Sequence, residues 1–561
     1  MIRSIHQDGT QRAAVDRRSA LRTIAGSAAL MASVSAASFS RAATASTASI
    51  ADTAYGKVRG ASSNGIHIFK GIRYGAPTGG ANRFMPPREP EPWAGVRDAL
   101  HYGNSAPQTN PTAKDTGGGE LFAPVGGEEK TGESEDCLFL NVWTPGLNDG
   151  GKRPVMVWLH GGGFLSGSGS SKMIAGENLS RRGNVVVITL NHRLNAFGFS
   201  HFGDIGGPEY AMSGNAGMLD IIQALKWVRA NIDRFGGDAS RVMIFGESGG
   251  GQKVSMLMGC PLAKGLFHRA AIESGPGIKM LDRSKATHVS DVYLKELGLT
   301  PDRLPEIQKM PTEKLLAAFF PAMAKTGGIT AGFIDNFSPV IDPVVLPQHP
   351  FSPNASPYAA DVPLIMGWNR TEMTLFADPA AFTLDDAGMK KRVAAIHGDA
   401  ADEIIATYKE KYPGLSPADL HFLIWSDYPT MLFENLIAER RAAQNQAPTY
   451  LYRFDWRSPV QGGKYHTPHT MEIPFVFDNT NVMASMTGGT AAAAALAATV
   501  SDAWIALATN GDPNTAKAGL PEWKPYSPSE RSTMLINTES RLVADPEKAE
   551  RELFYKLYPN V

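Results

Sequence analysis

Gly246-Glu247-Ser248-Gly249-Gly250 follows a short apolar run, Val242-Met243-Ile244-Phe245. A buried strand that ends in Gly-x-Ser-x-Gly and turns at once into a helix holds the serine hydroxyl exposed at the C-terminal end of a sheet. The glycines permit the tight turn. The helix that starts there aims free N–H groups at the same point, where negative charge is favoured. This is a setting for nucleophilic catalysis by Ser248. A serine hydroxyl is a poor nucleophile until a base takes its proton. Acyl transfer also places charge on the carbonyl oxygen, where each fixed N–H donor contributes roughly 10²–10³ in rate. A second glycine run could supply such donors: His160-Gly161-Gly162-Gly163-Phe164 follows an apolar run and precedes the serine, as an oxyanion loop does. With the amide after the nucleophile, the expected hole has three donors, Gly162, Gly163 and Gly249.

Other elements must position these groups. Residues 154–159 and 185–190 are near-continuous apolar runs, the pattern of centrally buried parallel strands. Residues 220–232 carry Ile221, Leu225, Val228 and Ile232 near helical spacing. Further strands are expected at 362–366 and 450–454. Alternation of this kind predicts an α/β architecture, a large, mostly parallel central sheet flanked by helices. The stretches at about 280–350 and 376–445 read as helical insertions that roof the site. The alanine-rich stretch 488–499, with Leu496 and the following Trp504, reads as a packed helix.

The chain has 561 residues, 43% of them hydrophobic and 19% charged, with a formal net charge of -1. That balance gives no electrostatic case for binding nucleic acid or an anionic membrane. Arg17-Arg18, then Leu21-Arg22 and a charge-free apolar run to Phe39, resemble a twin-arginine export signal, with Ala43-Thr44-Ala45 as a cleavage site. Residues 1–45 are therefore expected to be an export signal and 46–561 the working domain, periplasmic or secreted. The apolar run is too rich in alanine and serine for a stable membrane anchor, and no other segment reads as a span. The two cysteines, Cys137 and Cys260, have no zinc spacing and read as buried, unpaired thiols.

Several ordered segments carry a resemblance. They include Phe69-Lys70-Gly71-Ile72-Arg73-Tyr74, Arg83-Phe84-Met85-Pro86-Pro87, Ser134-Glu135-Asp136-Cys137-Leu138, Asn191-His192-Arg193-Leu194, Phe235-Gly236-Gly237-Asp238 and Gly511-Asp512-Pro513-Asn514. With the elbow and the glycine loop, they make residues 46–561 similar to type-B carboxylesterases, the family of cholinesterases and bacterial p-nitrobenzyl esterases. The resemblance implies an α/β-hydrolase fold and cleavage of small-molecule carboxylic esters through an acyl-enzyme, with no metal or cofactor. It places the acid five residues after a strand-ending glycine, which selects Glu372 after Gly367. It places the base three residues before the glutamate of Glu472-Ile473-Pro474-Phe475-Val476-Phe477, which selects His469 over His466. It makes Glu247 a buried structural partner. Two other readings share the fold: acyl transfer or amide cleavage by the same serine, and adhesion-type relatives without a nucleophile, against which Ser248, Glu372 and His469 argue.

The sequence departs from that family in places. Ala106 stands where many relatives have the cysteine that pairs with the one at Cys137. The loop 107–136, a wall of the active-site gorge in the family, is therefore expected to be uncrosslinked and mobile. Met373 replaces a glycine after the acid. Lys253 replaces a small residue on the helix beneath the elbow, and either a carboxylate partner or solvent is open to it. Phe164, His201, Phe202 and Phe376 are candidates to line the site. Short aliphatic, aromatic or phthalate, and polycarboxylate esters all remain open as substrates.

Overall fold

The computed structural model describes residues 49–109, 119–327, 329–330, 333–334 and 336–559. The expected export signal lies outside the described residues. The strands in chain order are β1 (Ser49–Thr53), β2 (Gly56–Ser63), β3 (Ile66–Arg73), β4 (Val96–Asp98), β5 (Phe139–Thr144), β6 (Arg153–Leu159), β7 (Val186–Leu190), β8 (Gly237–Glu247), β9 (Arg269–Glu273), β10 (Ile329–Thr330), β11 (Phe333–Ile334), β12 (Leu364–Asn369), β13 (Thr449–Phe454), β14 (Ser532–Ile536) and β15 (Arg541–Ala544). All but the β10–β11 ribbon join one 13-stranded sheet, ordered β1-β2-β3-β5-β7-β6-β8-β9-β12-β13-β14-β15, with β4 beside β2. From β7 to β14 every neighbouring pair is parallel. The antiparallel β1, β2, β3 and β5 extend one edge, and β15 closes the other.

The apolar runs become buried strands because helices cover both faces of the sheet. Side chains alternate along each strand, so one run serves two core layers. Val155, Val157, Leu159, Val242 and Ile244 pack with Ile221, Leu225, Val254 and Leu257. Met156, Trp158, Met243 and Phe245 pack on the opposite face with Phe477, Trp504 and Leu507. The helix expected at 220–232 is Ala216–Asn231. The alanine-rich stretch belongs to helix Ala491–Asn510, and here one expectation needs correcting. Among the described residues this helix is long and apolar enough to cross a membrane, yet 67% of its apolar window is buried inside the protein. Its apolar residues serve the second core layer.

The two insertions differ. The second is a run of helices, Asp386–His397, Ala401–Lys411, Pro417–Ser426 and Leu432–Ala442, and it overhangs the C-terminal end of the sheet. The first, with helices Arg283–Glu296 and Thr312–Lys325, docks to one side instead of roofing the site. There Arg83 bonds the Glu135 carboxylate and the carbonyl of Ile307, and Thr312 Oγ1 donates to Glu135 over 2.6 Å.

Arg193 and Asp220 are both buried and joined by Nε–Oδ2 (2.8 Å) and Nη2–Oδ1 (2.6 Å) bonds. They fix the segment after β7 to helix Ala216–Asn231. Removing the carboxylate leaves a buried guanidinium without its partner, so Asp220→Ala should destabilise the fold by about 3–5 kcal/mol. Urea unfolding of the two proteins checks this, and an unchanged midpoint would refute it.

Candidate active site

Ser248 sits between the end of β8 and helix Gly249–Met258 at φ 57°, ψ -123°. A non-glycine residue pays for that backbone conformation only where its surroundings enforce it. The enforcement is visible. The Ser248 N–H donates to the Glu273 carbonyl at the end of β9 over 2.8 Å. A Cβ at Gly246 or Gly250 would stand 2.4 Å or 2.0 Å from the Leu159 carbonyl oxygen. Ser248 remains partly exposed and lines a cavity.

Glu372 follows β12 by three residues, in the turn Glu372–Phe376. Its Oε1 accepts the Asn369 N–H over 2.6 Å, and its Oε2 lies 2.5 Å from His469 Nδ1. The His469 N–H donates to the Glu372 carbonyl over 3.1 Å, so one residue holds both ring and backbone of the other. A carboxylate on Nδ1 keeps the proton there and turns Nε2 toward the elbow. Nε2 lies 3.1 Å from Glu247 Oε1 and forms no hydrogen bond with Ser248 Oγ in this structure. Catalytic hydrogen bonds often tighten only when substrate arrives. His466 is placed apart. Its Nε2 meets Asp419 Oδ1 at 2.9 Å, and it lines a separate cavity of about 350 Å³ with Arg370 and Arg453.

The glycine loop leaves β6 at Leu159. Gly162 (φ 83°) and Gly163 (φ 63°) take backbone angles that side chains rarely adopt. The carbonyls preceding their amides are tied back. Gly161 O lies 2.9 Å from His160 Nδ1, and Gly162 O accepts the N–H groups of Leu165 (3.2 Å) and Ser166 (3.1 Å). The Gly162 and Gly163 N–H groups point the opposite way and donate to no acceptor among the described residues. Gly249 opens its helix, so its N–H has no partner there. A Cβ on Gly249 would stand 2.5 Å from Gly163 N, so the amides of loop and elbow lie close together. Lys253, one turn along the same helix, meets neither a carboxylate nor solvent. It is fully buried, and Nζ donates to the carbonyls of His160 and Gly163, each over 2.8 Å.

Comparison with known proteins decides the family. The sequence model of the carboxylesterase family matches residues 47–554. The chain belongs to this family. It is 35% identical to the para-nitrobenzyl esterase of Bacillus subtilis (strain 168) over 514 residues, 91% of this chain and 99% of that protein. It is 32% identical to the fumonisin B1 esterase of Sphingopyxis macrogoltabida over 460 residues, 80% of each chain. A Geobacillus stearothermophilus carboxylesterase superposes with a TM-score of 0.77 at 34% identity, covering 90% of this chain and 99% of that one. This carboxylesterase therefore has the α/β-hydrolase fold and hydrolyses small-molecule carboxylic esters.

In the carboxylesterase, Ser248 and His469 face a cavity of about 1950 Å³. Aromatic side chains from several segments line it: Phe122 from the loop 107–136, Trp158 from β6, Phe376, Trp425 and Tyr428 from the second insertion, and Tyr465 from the segment between β13 and His469. Of the four candidate lining residues only Phe376 does so, with its ring 5.3 Å from that of His469. Phe164, His201 and Phe202 are buried. Residues 110–118 of the loop lie outside the described residues. Over 119–136 the loop carries no crosslink, as expected, and non-covalent ties join it to its neighbours. The Val125 N–H donates to the Val482 carbonyl (2.9 Å), Ser171 Oγ to Glu128 (2.7 Å), and Lys70 pairs with Glu129 (2.7 Å). Cys137 and Cys260 are buried and unpaired.

Burial alone would lower the pKa of His469. The charges of Glu247, then Glu372 and Glu472, outweigh it and raise the pKa to about 9. Burial pushes the Glu247 carboxyl well above the usual range, and the neighbouring His469 opposes that shift. Only the neutral imidazole acts as a base. Removing the Glu247 charge lowers the pKa, so Glu247→Gln should move the acid limb of kcat/KM to lower pH. Coincident pH–rate profiles for variant and wild type would contradict this. Gly249→Ala forces a methyl against Gly163 and displaces the donors. It should reduce kcat by roughly 10²–10³-fold and also lower the melting temperature, because the clash is with backbone, and wild-type kcat in the variant would rule it out.

Proposed function

We propose that this carboxylesterase works through an acyl-enzyme formed on Ser248. His469 Nε2 takes the hydroxyl proton as Oγ bonds to the ester carbonyl carbon, and the carbonyl π electrons move to oxygen. The amides of Gly162, Gly163 and Gly249 receive that oxyanion. The intermediate collapses, the C–O bond to the alcohol breaks, and His469 returns its proton to the departing oxygen. A water then repeats the sequence with His469 as base and releases the acid and Ser248. Glu372 fixes the imidazole tautomer and stabilises the imidazolium. No step calls on a metal or cofactor.

One observation carries this reading. The Glu372–His469 pair (2.5 Å) and the strained Ser248 border one cavity, and the Gly249 backbone lies against the unbonded Gly163 amide. The cavity extends the reading to substrate. At about 1950 Å³ it exceeds the roughly 300–1,000 Å³ of most small-molecule sites. Its aromatic lining favours esters with a bulky aromatic part, consistent with a relative named for p-nitrobenzyl esters.

The test is ester turnover by wild type and Ser248→Ala. Wild type should have a higher kcat/KM for a p-nitrobenzyl ester than for an ethyl ester of the same acid. Ser248→Ala should fold normally and lose at least about a thousand-fold in kcat. Retained turnover in the variant would overturn the assignment of the nucleophile, and a preference for the ethyl ester would overturn the substrate reading.

A further inference from the structure

The loop that carries two of the three amide donors is poorly suited to hold its own shape. Gly161, Gly162 and Gly163 are consecutive, and glycine loses more conformational freedom on ordering than any other residue. The loop also borders an open cavity instead of a packed core. A single side chain grips it at both ends. Lys253 Nζ donates to the carbonyl of His160, just before the glycines, and to that of Gly163, the last of them, each over 2.8 Å.

We propose that Lys253 is a positioning residue for the oxyanion hole, binding the glycine loop to the nucleophile's own helix so that the amides of Gly162, Gly163 and Gly249 keep one mutual geometry. This inference rests on the function proposed above.

Three features support it. The first is the connection itself. Gly249 and Lys253 share one helix, while Gly162 and Gly163 belong to the loop after β6. The hole is assembled from two separate segments, and Lys253 is a direct polar link between them. The second is the surroundings of the ammonium. It is buried with no carboxylate bonded to it, although the Glu247 charge acts on it, and it lies 5.5 Å from the Phe164 ring centroid and close to the stacked rings of His160 and His192, whose centroids lie 4.9 Å apart. Burial and the neighbouring positive charge push the His160 pKa down to about 3, so that ring is neutral. A buried amine is costly unless hydrogen-bonded, and here the two carbonyls provide that bonding. The third is the count of donors. Burial pushes the Lys253 pKa down to about 7, but a neutral amine still has two N–H groups for two carbonyls. The brace therefore survives loss of the proton.

Lys253→Met keeps all but the last atom of the side chain's length and removes every donor. Its kcat should fall roughly 10–100-fold with KM unchanged, as expected when donors are misplaced by a fraction of an ångström. A trifluoromethyl ketone analogue of the substrate gives the second readout. Ser248 Oγ adds to its carbonyl, the proton passes to His469, and the resulting oxyanion occupies the hole. Its affinity should fall by the same factor as kcat, while the carboxylic acid product should inhibit as it does in wild type. A merely structural role would lower the melting temperature and leave this split untouched.

Lys253→Gln reaches only one carbonyl and should show a smaller loss of the same kind, which decides the matter if the methionine variant does not fold. Wild-type kcat and ketone affinity in a folded variant, or a loss confined to KM, would overturn the proposal. If Ser248→Ala is inactive and Lys253→Met is fully active, only this inference fails. If Ser248→Ala is active, the reading beneath it fails as well.

Discussion

Two backbone segments come nearly into contact at the C-terminal end of the sheet, and the rest of the site is organised around that approach. Parallel pairing sets Leu159, the last residue of β6, opposite Gly246 near the end of β8. From there one chain continues as the glycine loop and the other as the elbow. The gap between them admits no side chain at Gly246, Gly249 or Gly250. Glycine at these positions is therefore a packing requirement as much as a conformational one. The neighbouring strands complete the arrangement: β9 accepts the Ser248 amide, and β12 leads into Glu372. Active sites of open α/β sheets form at the carboxyl ends of strands for this reason.

The electrostatic setting follows from the same crowding. Glu247, Glu273, Glu372, Glu434 and Glu472 are all buried near the imidazole or one another. Burial, then repulsion from Glu372, pushes Glu472 up to about 7, even though Ser274 and Asn369 donate to it. Burial also raises Glu273, which accepts a bond from Trp504 Nε1 over 2.7 Å. Carboxylates packed this closely cannot all ionise. The imidazole therefore sits among buried acids, of which Glu247, Glu372 and Glu472 raise its basicity together.

The sequence exposed the parts of this design that depend on local pattern. The apolar runs at 154–159 and 185–190 lie within β6 and β7, displaced by at most a residue, because full burial on both faces leaves an unmistakable composition. The elbow and glycine loop were legible because only glycine meets their steric demands. Position in the chain failed where long-range packing decided the outcome. Nothing near residue 253 showed that its side chain would run beneath a loop some ninety residues earlier. The apolar residues of Ala491–Asn510 could not reveal which partner would cover them. The two insertions look alike in sequence, and only the anchoring of the first by Arg83 and Glu135 separates them. The ties of the loop 107–136 to Lys70, Ser171 and Val482 also come from distant segments.

The roof of the cavity has a consequence of its own. The second insertion begins just after Glu372 and ends before β13, which leads to His469. One continuous excursion of the chain, flanked on either side by Glu372 and His469, thus supplies a large share of the cavity's roof. Ser248 and its amide donors belong to earlier strands and stand outside that excursion. Lineages could replace the excursion wholesale and reshape the cavity while Ser248 stays where it was. Any such graft would still pull on the carboxylate–imidazole couple at its two ends, so new specificity in this architecture should come with a retuned proton transfer.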